Sequence, residues 1–120
     1  KDLLPVCERL GLGVLPYFPL ASGLLTGKYK RGQPRPEGTR LSDRDDVFDD
    51  ETFDRLEALE AFAEERGLSL LDVAIAGLLA QPAVASVIAG ATKPEQVRAN
   101  AAAGDWQPSD ADLAVLNALR

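Results

Sequence analysis

The chain has 120 residues, 46% of them hydrophobic, which is enough for one globular domain with a buried core. Its net charge of -6 disfavours nucleic acid as a partner, because phosphates call for clustered Lys and Arg, and no apolar run approaches the ~20 residues of a membrane span. With one Cys and no His, zinc-type sites and His-based general-base chemistry are excluded within the chain.

Residues 2–10 read as a helix with Leu3, Leu4, Val6, Cys7 and Leu10 on its buried side, closed by Gly11 and Gly13. Gly11-Leu12-Gly13 is a poor dinucleotide fingerprint: it follows a helix rather than a strand, and Pro16 stands where a third glycine belongs. Val14 to Leu20 reads as a buried strand whose ladder ends near Phe18, because Pro19 cannot donate. Ala21 to Tyr29 resembles a phosphate loop only superficially. Gly23 and Gly27-Lys28 are spaced one residue too close, and Tyr29 replaces the hydroxyl residue that holds magnesium.

Lys30 to Asp50 is a long polar connection with Gly32, Pro34, Pro36 and Gly38, either a functional loop or a flexible surface excursion. Its Asp43, Asp45, Asp46, Asp49 and Asp50 lack calcium-hand spacing and read as a solvated acidic face. Glu51 to Arg66 is an amphipathic helix closed by Gly67. Ser69, with Asp72 three residues on, opens a second helix to about Ala80, apolar nearly all round and therefore buried, which Gln81-Pro82 stops.

Val84 to Ala89 is a near-continuous apolar run, as in a parallel strand covered on both faces. Gly90-Ala91 ends it. Thr92, three residues before Glu95, has capping-box spacing, and Pro94 falls in the first turn of a helix that Gly104 closes. The backbone N–H groups of that helix start, beside Thr92 and Lys93, form either an anion site or an ordinary capped turn. Trp106 is placed as a plug beneath neighbouring helices, and Ser109 with Asp112 caps a terminal helix carrying Leu113, Leu116 and Leu119.

Two strands among helices imply an α/β fold with parallel pairing and right-handed crossovers. Two strands cannot make a buried sheet alone, and the sequence holds no Met, so the chain is expected to be a fragment of something larger.

The stretches from Pro16 to Tyr29 and Gly32 to Arg40 (PYFPLASGLLTGKY and GQPRPEGTR) resemble the seventh strand and following loop of the aldo-keto reductase family. Val87 to Asn100 (VIAGATKPEQVRAN) resembles its eighth strand and the next helix, in the branch related to potassium-channel beta subunits and bacterial oxidoreductases. The resemblance implies the C-terminal third of a TIM (β/α)8 barrel, residues 1–120 running from the sixth helix to a C-terminal helix, with two parallel strands and flanking helices. It implies NADP(H) as cofactor. Tyr17 would stack on the nicotinamide, and Leu20, Ser22, Gly23 and Leu24 would lie along the pyrophosphate, with Lys28 just beyond. Gly90, Thr92 and Lys93 would meet the 2′-phosphate and ribose, and Gln96 and Asn100 would lie toward the adenine. The two turns are expected to open onto one shared hollow.

Phe18 stands where the family often has a small hydroxyl residue, and Ala99 where it often has an acid. The family's catalytic Asp, Tyr, Lys and His belong to earlier strands, outside this sequence. The implied activity is reduction of aldehydes or ketones to alcohols, on a small carbonyl substrate, with the missing N-terminal part of the barrel as partner. The alternatives are a catalytically silent nucleotide-sensing subunit and an inactive truncated fragment. The single Cys7 cannot form an internal disulfide, which fits a reducing, cytoplasmic setting.

Overall fold

A computed structural model describes residues 3–119. Five α-helices carry it: α1 (Leu3–Arg9), α2 (Asp50–Glu64), α3 (Leu70–Leu79), α4 (Pro94–Ala102) and α5 (Asp110–Ala118). A kinked 3-10 segment lies at Ala21–Thr26 and a single 3-10 turn at Asp45–Val47.

The core sits where α2, α3 and α5 meet. Phe62 and Ala63 of α2, Val73 of α3 and Leu116 of α5 form it, with Leu59, Leu68 and Trp106 packed around them. The Trp106 ring meets Phe62 edge-on at 6.2 Å between centroids, so Trp106 plugs the helices as its sequence position suggests. Gly77 lets α5 come close: a Cβ there would stand 3.3 Å from Leu116 Cδ1.

Local capping defines the helix starts. Asp49 accepts from the Thr52 N–H at 2.8 Å and begins α2. Ser69 and Asp72 make a reciprocal box at α3, and Ser109 with Asp112 repeats it at α5. Each box satisfies backbone donors that a helix start otherwise leaves unpaired.

The expected pair of strands is not formed. Among the described residues the β pairing is one parallel bridge, Val14 with Val84, made by the Val14 N–H on the Ala83 carbonyl (2.7 Å) and the Ala85 N–H on the Val14 carbonyl (2.9 Å). Pro16 offers no N–H to extend the ladder, Phe18 leaves the extended region at φ 50°, and neither segment has a second strand beside it. Leu15 and Ile88 are consequently 57% and 66% exposed instead of buried. Gly13 serves this crossing, since a Cβ on it would lie 3.1 Å from the Ala85 Cβ.

Helix α1 departs from expectation in the same way. Gly11, at φ 67°, closes it as predicted, but of the apolar face only Cys7 is buried, while Leu3 and Leu10 are exposed. Asp2 lies outside the described residues. None of the described helices is long and apolar enough to cross a membrane.

Candidate functional site

The first candidate turn follows the Val14 bridge. Phe18, Ala21 and Ser22 have φ of 50°, 46° and 58°, a left-handed conformation that costs a non-glycine residue roughly 1–2 kcal/mol. Such strain persists only where neighbours impose it. Here the Ala21 N–H donates to the Phe18 carbonyl (2.9 Å), the Gly23 N–H to the Leu20 carbonyl (2.8 Å) and the Thr26 hydroxyl to the Gly23 carbonyl (2.7 Å). The Gly23 N–H, expected to serve a pyrophosphate, is thus already engaged within the turn.

Gly23 and Lys28 come together. At φ 98° position 23 favours glycine, and a Cβ there would lie 3.1 Å from Lys28 Nζ. Leu20, Ser22 and Leu24 are half-buried. Pro19, Leu24 and Leu25 face an apolar hollow of about 330 Å³ completed by α2, α3 and α5. Tyr17 stands 83% exposed, its ring 4.0 Å from that of Phe18 and tilted by 32°, leaving broad aromatic surface in the open.

The second turn enters α4. Its N-cap is Lys93, not Thr92, and the side chain that reaches back is Gln96, not Glu95; the contact runs one way, because the Lys93 ammonium has no acceptor. Pro94 sits at the first helical position, which shifts the start by one residue and brings Gln96 to the capping place. Gln96 Oε1 accepts from the Thr92 N–H (2.8 Å), the Lys93 N–H (3.2 Å) and the Thr92 hydroxyl (3.2 Å). These are the amides expected to be open to an anion. A side-chain oxygen fills that place, and Gln96 points back to the turn instead of along the helix. Gly90, Thr92, Lys93 and Gln96 are exposed, and Asn100 is half-buried.

The hollow beside this turn is lined by Ala91, Thr92, Lys93, Pro94, Val97 and Arg98. Arg98, one turn into α4, therefore lines the same hollow as Lys93, a cation that motif matching passed over; its spacing of four from Pro94 is the signal that places it on that face. Both turns are carried by α3, which packs against the Ala21–Thr26 turn and against α4. No residue of the Ala21–Thr26 turn lines the hollow at Thr92 and Lys93, and no residue of the second turn lines the apolar hollow at Leu24 and Leu25. Among the described residues no cluster of His, Cys, Asp or Glu has metal-binding geometry.

The acidic connection keeps its carboxylates toward solvent, as read from the sequence, and several of them are also ion-paired. Arg35 pairs with Asp45, and Arg44 grips Asp46 through two 2.8 Å bonds that hold the Asp46 carboxyl below its usual range and raise the Arg44 guanidinium. The Thr52 N–H lowers Asp49 likewise. Arg31 meets Asp50, Asp54 and Glu57 of α2, and Lys30 meets Glu60. Tyr29, buried, donates to the Thr39 hydroxyl at 3.0 Å. These bonds make the connection a structured excursion.

The chain belongs to the aldo/keto reductase family, whose model matches residues 1–120. It is 38% identical over 113 residues to a probable voltage-gated potassium channel subunit beta of Oryza sativa, covering 90% of this chain and 34% of the relative. It is 34% identical over 123 residues to the NADH-specific methylglyoxal reductase of Escherichia coli K12, covering 99% of this chain and 37% of the relative. The fold matches that of the glycerol dehydrogenase AKR11B4 from Gluconobacter oxydans, an aldo-keto reductase TIM barrel, with a TM-score of 0.79 and 30% identity over 99% of this chain and 37% of that one. The chain thus spans about a third of the length of these relatives.

Proposed function

We propose that this chain is the nucleotide-holding part of a nicotinamide-dependent oxidoreductase that reduces a small aldehyde or ketone to an alcohol. The observation that carries the reading is the Gln96 oxygen, held by two backbone N–H groups and a hydroxyl at the start of α4. An oxygen acceptor is already favoured there, and a phosphate oxygen could replace the carboxamide with Lys93 and Arg98 beside it. The residues present thus fit an anionic dinucleotide. Gly90, Thr92 and Lys93 would hold the 2′-phosphate and ribose, and Gln96 and Asn100 the adenine side. Leu20, Ser22, Gly23, Leu24 and Lys28 would follow the pyrophosphate. Tyr17, exposed and flat, would lie against the nicotinamide. The nicotinamide supplies hydride when bound, and these residues bind and orient it.

The reading places residues 1–120 as the last third of a (β/α)8 barrel, from its sixth helix to a C-terminal helix, with the catalytic strands upstream. Exposed Leu12, Leu15 and Ile88 support it, because they are apolar where neighbouring strands would cover them. Buried Cys7, with no second Cys in the chain, agrees with a reducing cytoplasmic setting.

We assign NADPH over NADH from the paired cations Lys93 and Arg98, although one relative is named as NADH-specific. The test is nicotinamide fluorescence on mixing NADPH or NADH with the full-length protein. Lys93→Ala is expected to weaken NADPH about tenfold, the equivalent of a lost charge-assisted phosphate contact, and NADH little. Absence of binding by either nucleotide ends the reading; equal loss for both ends the NADPH assignment.

A second reading, a nucleotide-sensing subunit without turnover, is favoured by the similarity to potassium-channel beta subunits. Single-turnover mixing with bound NADPH and an aldehyde separates the two. Oxidation of the nucleotide supports the enzyme, and a persistent NADPH signal supports the sensor.

A further inference from the structure

Four residues leave the first turn, and the last two of them reach α2. Lys28 lies against Gly23, and Tyr29 turns into the core, its ring 5.0 Å from Phe48. Lys30 Nζ meets Glu60 at 2.7 Å. Arg31 then spends its whole guanidinium on α2: Nη1 to Asp50 (2.8 Å), Nη2 to Asp54 (2.5 Å) and Nε to Glu57 (2.9 Å). Its planar group also lies over the Phe53 ring, 5.3 Å from the centroid.

Asp50, Asp54 and Glu57 form a stripe on α2 at helical spacing. Like charges three and four residues apart oppose a helix when nothing lies between them. Arg31 supplies that counter-charge with a rigid fork that a lysine cannot reproduce. The fork lies between two left-handed glycines, Gly27 at φ 77°, which closes the Ala21–Thr26 turn, and Gly32 at φ 72°. Only Tyr29 and Lys30 separate it from Lys28, so it sits within roughly 11 Å of chain from the turn.

We infer that Arg31, docked on the Asp50–Asp54–Glu57 stripe of α2, is a positioning residue that fixes the Ala21–Lys28 turn for the nucleotide. The inference rests on the nucleotide-binding reading above and assigns a role within it that no motif records. Arg31 touches no reacting atom; it acts through Lys28 and Gly23. Ion pairs at the surface are individually weak, so the effect belongs to the network and is screened by salt.

The experiment compares the full-length protein with Arg31→Ala and Arg31→Lys. Nicotinamide fluorescence reads nucleotide affinity, and hydrogen exchange reads peptides spanning residues 20–31. Arg31→Ala should weaken nucleotide binding about three- to tenfold and speed exchange in the turn, while kcat at saturating nucleotide stays within about twofold. Arg31→Lys should restore part of the affinity. If Arg31→Ala does not fold, the exposed stripe variants Asp54→Asn and Glu57→Gln carry the same test, each with a smaller loss. Unchanged affinity and unchanged exchange in Arg31→Ala, with the unmodified protein binding nucleotide normally, overturn the inference and leave the functional reading standing. No binding by the unmodified protein overturns both.

Discussion

The helical side of the molecule and the bridge side obey different rules. At the meeting of α2, α3 and α5 each element starts on its own cap and buries its own apolar face, and Phe62, Ala63, Val73 and Leu116 are nearly sealed from solvent. Between residues 12 and 18 and between 84 and 90 the sequence is just as apolar, yet one parallel bridge is all the pairing that forms. A helix satisfies its backbone within itself, whereas a strand needs partners on both edges. The helical side is therefore specified by nearby residues, and the bridge side by segments at long range.

Truncation in the helical core is the strongest way to test that contrast. Phe62→Ala removes a ring that meets Trp106 edge-on and carries the Arg66 guanidinium 3.6 Å above it. A loss of about 3–5 kcal/mol is expected, read by urea unfolding of the full-length protein. A loss under about 1 kcal/mol would mean that Phe62 is not central to the core.

On the bridge side the expected effect is smaller in stability but larger in function. Gly23→Ala imposes a Cβ at φ 98° beside Lys28 Nζ, which costs roughly 1–2 kcal/mol and displaces the lysine. Nucleotide affinity should fall by more than the fall in stability predicts. Equal affinity in Gly23→Ala would separate this turn from the site. Ser69→Ala on the helical side removes the cap of α3 for about 1 kcal/mol and should leave nucleotide affinity alone. A shift in affinity there would show that α3 transmits to both turns it packs against.

The same division explains what was legible in the sequence. The Ser69–Asp72 and Ser109–Asp112 boxes and the Gly11 closure follow from residues close in the chain, and they stand where the pattern places them. The Trp106 plug also stands where expected, although its ring partner Phe62 is distant in the sequence. The two strands were legible as apolar runs but not as a ladder, because hydrophobicity says that a strand wants cover and not which partner provides it. At α4 the pattern misplaced the cap by one residue, since Thr92–Glu95 and Lys93–Gln96 both fit the spacing and only the geometry around Pro94 chooses. The family was legible from the two motifs, and residues 1–120 match it. The docking of Arg31 on α2 was not legible, because its partners lie 19 to 26 residues away. Only the stripe of acids on α2 hinted that a cation was wanted.

Acid titration gives the finest comparison. The Ser109 hydroxyl donates to the Asp112 carboxylate at 2.7 Å, with the Ser109 N–H at 2.9 Å and Arg66 Nε at 2.8 Å, and together they lower its pKa from the ordinary 3.8 to about 2. A carboxyl depressed on folding adds stability that is complete above its unfolded value and disappears as pH falls through its folded one. The Asp112 contribution should therefore fade between about pH 4 and pH 2 and be unchanged near neutrality. Arg66→Gln should move the Asp112 titration upward without abolishing its depression, because the Ser109 bonds are the larger cause. Carboxyl chemical shifts followed from pH 6 to 1.5 (about the accessible range) would read this directly. If Asp112 titrates at its ordinary value in the unmodified protein, the box at α5 is not closed in solution, and α5 owes its place to the core contact of Leu116.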